Sequence, residues 1–137
     1  MKKLATLSAL ALALCMPATA QATGTVFMCK GADGVNIGVI SQANAMFLEL
    51  PRNLIKKTPP PRENATLNVS STSDPSKVTV WWQFGLGPKS VFDFYYWVDA
   101  ATQKPMGRLQ ETRTSGHTTE TFKTDCASDI TWNPSAF

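Results

Sequence analysis

Residues 78–98, VTVWWQFGLGPKSVFDFYYWV, place Trp81, Trp82, Phe84, Phe92, Phe94, Tyr95, Tyr96 and Trp97 in one short span around Gly85-Leu86-Gly87-Pro88. Strict alternation on both sides of a Gly/Pro turn predicts a β-hairpin, because successive strand side chains point to opposite faces. Val78, Val80, Trp82 and Phe84 then share a face with Phe92, Phe94, Tyr96 and Val98, and this face is core. Placing Phe84 opposite Phe92 sets Trp82 against Phe94 and Val80 against Tyr96, cross-strand pairs that contribute roughly 0.2–1 kcal/mol each. The other face carries Thr79, Trp81 and Gln83 with Val91, Asp93, Tyr95 and Trp97. Three large rings among polar neighbours on the second face require a cover or a partner.

The first 20 residues, MKKLATLSALALALCMPATA, have two lysines, an apolar run of about a dozen residues and an Ala-x-Ala ending, the layout of a secretory signal peptide cleaved near Ala20. The run is too short for a helix across a bilayer, which takes about 20 residues. Cleavage leaves 21–137, the length of one domain. It also removes Lys2 and Lys3 from 13 basic residues set against 10 acids, so the remainder is close to neutral. Nucleic-acid binders concentrate positive charge, and this balance does not point to one.

Cys15 leaves with the signal, so Cys29 and Cys126 remain near the two ends of the domain. Two cysteines in an exported chain predict one disulfide, a clasp closing almost the whole domain. Two cysteines and the single His117, widely spaced, do not make a metal set, and no cofactor-binding pattern is present.

Short strands fill the rest. Residues 25–30 and 35–40 flank the Asp33-Gly34 turn signal, with Gly38 marking a bend or bulge. In 41–50, Ala43, Met46, Phe47 and Leu50 fit a helical stripe, while Met46, Leu48 and Leu50 fit a strand; the strand over 45–50 is the expectation. Residues 51–64 hold Pro59-Pro60-Pro61 with Lys56, Lys57 and Arg62 around it, an exposed loop that is either a stiff connection or a partner-facing element. Strands at 65–70, 106–113 and 118–124 follow, the last two as a polar outer hairpin, and Ile130, Trp132 and Phe137 of the tail cap one end of the sheet. About eight antiparallel strands predict an all-β fold, a small barrel closed by one disulfide, with a two-sheet sandwich as the alternative. The polarity of 114–123 and Pro134 in the last segment argue against a membrane barrel.

A cysteine in the first strand, another after the last and a small barrel between them resemble the bacterial periplasmic lysozyme-inhibitor domain and, in outline, a miniature lipocalin. Neither the inhibitors' Ser-Gly-x-x-Tyr loop nor the lipocalin Gly-x-Trp motif occurs, so no site residue is carried across.

Catalytic material is thin. His117 sits in a turn, and Asp93, Asp99, Glu111 and Glu120 make an acid/base site only if the fold gathers them. The expectation is therefore an exported, periplasmic or secreted, binding protein, more probable on these residues than an enzyme. It would engage a protein partner in inhibitor- or immunity-like fashion, or an apolar ligand, through Trp81, Tyr95 and Trp97, with Lys56, Lys57 and Arg62 as further binding candidates. A carboxylate hydrolase and a siteless envelope protein, its rings covered by the tail and Trp132, are the alternatives.

Overall fold

The computed structural model describes residues 23–51, 58–72, 74–83 and 85–137; the expected signal peptide, Lys56, Lys57 and Phe84 lie outside them. The described residues form the strands β1 (Gly24–Lys30), β2 (Asn36–Gln42), β3 (Ala45–Glu49), β4 (Ala65–Asn68), β5 (Ser76–Gln83), β6 (Lys89–Val98), β7 (Pro105–Ser115), β8 (Thr118–Asp125) and β9 (Ser128–Trp132). Single 3-10 turns lie at Arg62–Asn64 and Pro134–Ala136.

The strands build two antiparallel sheets, one ordered β3-β2-β1-β9 and the other β4-β5-β6-β7-β8. The chain leaves the first sheet after β3, lays down the second as a five-stranded meander, and returns so that β9 pairs with β1. That return is why no closed barrel forms among the described residues. A barrel needs the last meander strand to find an edge of the first hairpin, whereas β8 stays an edge and a ninth strand from the tail docks instead. The all-β class and the disulfide are as expected, and the two-sheet arrangement describes the molecule.

The inner faces meet in a core of Phe27, Cys29, Ile37, Val39 and Met46 against Val78, Val80, Phe92, Phe94 and Leu109, each at most 2% exposed. Full burial of one such side chain is worth about 1.5–3 kcal/mol. Phe27 and Phe94 meet across the sheets with ring centroids 5.6 Å apart. Both Val26 and Phe27 are fully buried beside a β-bulge between Thr25 and Phe27. The irregularity therefore lies in β1, while Gly38 in β2 marks a close approach: a Cβ there would run into the Phe27 carbonyl and the Met28 sulfur.

Cys29 and Cys126 are joined, with Cα atoms 5.8 Å apart. The bridge stands where the chain changes sheets, since the Cys126 N–H bonds the Gly107 carbonyl on β7 and the Ala127 N–H bonds the Lys30 carbonyl on β1.

One other expectation is corrected. The β5–β6 ladder pairs Val80 with Phe92, Val78 with Phe94 and Ser76 with Tyr96, four residues away from the expected register. Pairing continues to Gln83 and Lys89, so Lys89 and Ser90 belong to the strand, and the even shift keeps every side chain on its face. β7 and β8 form the expected outer hairpin, with β8 at the sheet edge. The strand reading of 45–50 holds as β3.

Candidate binding face

The outer face of the five-stranded sheet is built by the residues between the core positions. Its rows run Lys77–Tyr95–Arg108–Asp125, Thr79–Asp93–Gln110–Lys123 and Trp81–Val91–Thr112–Thr121, with Trp97 beside Met106 at one end. None of these side chains is buried, in contrast to the inner face. Trp81, Tyr95 and Trp97 therefore lie on one half-exposed surface.

The tail does not cover them. β9 belongs to the other sheet, and Trp132 stacks on Tyr96, on the inner face, with centroids 5.5 Å apart and ring planes within 8°. Of the explanations the sequence leaves open for the three rings, burial under the tail is thus not the arrangement found.

Each ring has a cation beside it. Lys77 stands 5.8 Å from the Tyr95 ring, Lys89 5.8 Å from Trp81, and Arg108 5.8 Å from Trp97. Exposed contacts of this kind are worth about 0.5–1 kcal/mol. Arg108 is further held by Asp125 at 2.6 Å, and Asp93 accepts a hydrogen bond of 2.5 Å from the Thr79 hydroxyl. The Tyr95 hydroxyl is held above its ordinary pKa, first by partial burial, then by the Asp93 charge, with Arg108 acting against both.

Arg62 belongs to a different part of the molecule. Its guanidinium bonds the Ser41 hydroxyl, reaches the Met46 sulfur and lies 4.8 Å from the centre of the Phe137 ring. Its N–H bonds the Asn44 carbonyl, and the Met46 N–H bonds Pro60. The polyproline loop is thereby strapped to the end of the four-stranded sheet, and the half-buried Arg62 is engaged internally, away from the ring face.

The carboxylates are not gathered. Asp93 is on the outer face, Asp99 accepts from the Thr102 N–H and hydroxyl in the β6–β7 turn, and Glu120 is on the edge strand. Those Thr102 bonds hold the Asp99 carboxyl below its ordinary value. Glu111 is 1% exposed, because it follows Leu109 on the inward alternation of β7 and faces Phe92 and Phe122. One carboxylate oxygen accepts from Arg113, and the other has no hydrogen-bond partner among the described residues. Arg113 in turn lies 4.9 Å from the Phe122 ring centre. His117 is exposed beside Gly116, whose φ is 60°. No group of metal-ligating side chains occurs among the described residues.

Sequence reasoning missed the cations. Lys77, Lys89 and Arg108 carry no motif, and only the true register brings them to the rings. Comparison of the chain with protein-family models, curated proteins and solved structures found no match.

Proposed function

We propose that the chain is an exported binding protein whose working surface is the outer face of the five-stranded sheet. The observation that carries this reading is that Trp81, Tyr95 and Trp97 lie together on an outer face with no buried side chain, while the chain's own spare aromatic, Trp132, is used on the inner face. Tyr and Trp combine large apolar area with a polar handle, and they dominate binding hot spots for that reason. An open sheet face favours a partner that approaches from one side over an apolar molecule that must be engulfed. The Cys29–Cys126 disulfide and the signal-like first 20 residues support export to the periplasm or medium. The carboxylate alternative loses support because Asp93 lies on the outer face, Asp99 in the β6–β7 turn, and Glu111 is buried against Arg113, whose ladder partner is Glu120.

The test is affinity capture from the cell envelope and medium with residues 21–137, in wild-type, Trp81→Ala and Trp97→Ala forms. The expected result is a stoichiometric partner retained by the wild type and lost by both variants, with melting temperatures nearly unchanged. Equal retention by all three forms, or unfolding of the variants, would show that the rings serve the fold alone.

A further inference from the structure

The composition of the ring face identifies the class of ligand it fits. This ligand class holds if that face is the working surface. Trp97 and Tyr95 are two residues apart on β6, about 7 Å at strand rise, and Trp81 sits opposite Val91, one strand across and about 13 Å further along. The rings thus form a line of about 20 Å running with the strands. Between them stand Thr79, Asp93 and Gln110, all hydrogen-bonding groups.

A purely apolar ligand lying along this line would strip water from Asp93, Gln110 and Thr79 and return no hydrogen bonds, which is costly. The matching ligand alternates as the face does, with C–H-rich flat surfaces for the rings and hydroxyl edges for the polar groups. Sugar rings in a linear chain have that character. Charge narrows it further. Lys77, Lys89, Arg108 and Lys123 outnumber Asp93 and Asp125 on this face, and because Arg108 and Asp125 pair with each other the surplus is carried by the lysines. The surplus is positive but modest. It complements a polymer with spaced carboxylates better than the dense phosphates of nucleic acid, which call for strong positive clustering.

We infer that the outer face of the five-stranded sheet binds an extended acidic polysaccharide, with sugar rings on Trp81, Tyr95 and Trp97 and carboxylates beside Lys77 and Lys89.

The experiment is calorimetric titration of the disulfide-intact protein with polygalacturonate, cello-oligosaccharide and oligothymidylate, at two salt concentrations. Polygalacturonate is expected to bind, more weakly at high salt, with Trp81→Ala and Trp97→Ala each lowering affinity about tenfold. The Lys77→Gln/Lys89→Gln double variant leaves the rings in place and is expected to weaken binding and flatten its salt dependence. Melting curves verify that each variant is folded. Equal binding of the neutral oligosaccharide, stronger binding of oligothymidylate, or no binding of polygalacturonate overturns the inference. If polygalacturonate fails while a captured protein partner is still lost with Trp97→Ala, only the ligand class is wrong. Polygalacturonate binding that survives both Trp variants overturns the ring-face reading as well.

Discussion

Trp132 lies flat on Tyr96, 5.5 Å between centroids and 8° between planes, and this pair joins the last strand of the four-stranded sheet to the inner face of the other sheet. The stack brings the C-terminal aromatic into the core layer and away from the outer rings. Trp132→Ala is therefore expected to destabilise the fold by about 2 kcal/mol, less than a fully buried aromatic because Trp132 keeps some exposure. Urea unfolding measures this, and any binding to the outer face should persist in the folded fraction.

Gly107 lies beneath the disulfide. A Cβ there would sit 2.8 Å from the Cys126 sulfur and 2.9 Å from Phe27 Cζ. Both neighbours are fixed, one by the bridge and one by packing on Phe94, so neither can yield cheaply. Gly107→Ala is expected to cost about 1–3 kcal/mol, visible as a lower urea midpoint with an unchanged slope.

Glu111 and Arg113 should respond unequally to mutation. Arg113→Ala leaves a buried carboxylate without its cation, and a loss of about 3 kcal/mol is expected. Glu111→Leu removes the buried charge between Phe92, Leu109 and Phe122, and should be neutral or stabilising. Chemical denaturation of the two variants compares them directly. Equal losses would mean that the pair acts by shape and not by charge.

Tyr95 reports on the outer face. Its hydroxyl is raised by burial and by Asp93 and lowered by Arg108, so Asp93→Asn should bring its titration down and Arg108→Gln should push it up. Tyrosinate absorbance against pH reads both. The sign for stability follows from the raised value: the folded state holds this proton more tightly, so the contribution is complete below the unfolded tyrosine range and fades as pH climbs through the folded one.

Asp99 shows the opposite sign. Its lowered carboxyl makes a contribution present above the ordinary carboxylate range and lost as pH falls through the folded value. Thr102→Ala deletes the hydroxyl donor and should move the Asp99 titration upward, toward the ordinary value, in a carboxyl NMR titration.

Much of this fold was legible because strand alternation sorts faces independently of pairing. Val78, Val80, Phe92 and Phe94 are core under any even register, so their burial could be read from spacing alone. The register itself could not. With Phe84 opposite Phe92, Lys77 would face Asp99, and the Lys77–Tyr95 neighbourhood in the true ladder stays hidden. The ninth strand was illegible for another reason. Only Ile130 and Trp132 alternate in it, and Asp129, with φ of 56°, interrupts the extended backbone that a strand pattern presumes. The burial of Glu111 was hard to read because its charge argues for the surface, although its place two residues from Leu109 points inward. The ring face was legible as an anomaly, and its positive rim emerged only from the ladder.

The pairing of β1 with β9 also bears on how the chain assembles. The central strand of the four-stranded sheet waits for a partner about a hundred residues further along, and the covalent clasp spans 97 positions. Contacts this distant in sequence make for slow closure. During synthesis the β4–β8 meander can zip early, but neither the four-stranded sheet nor the clasp is complete until residues 126–132 have been added. The two layers thus mature against their order in the chain: the sheet that is begun first is the one that is finished last.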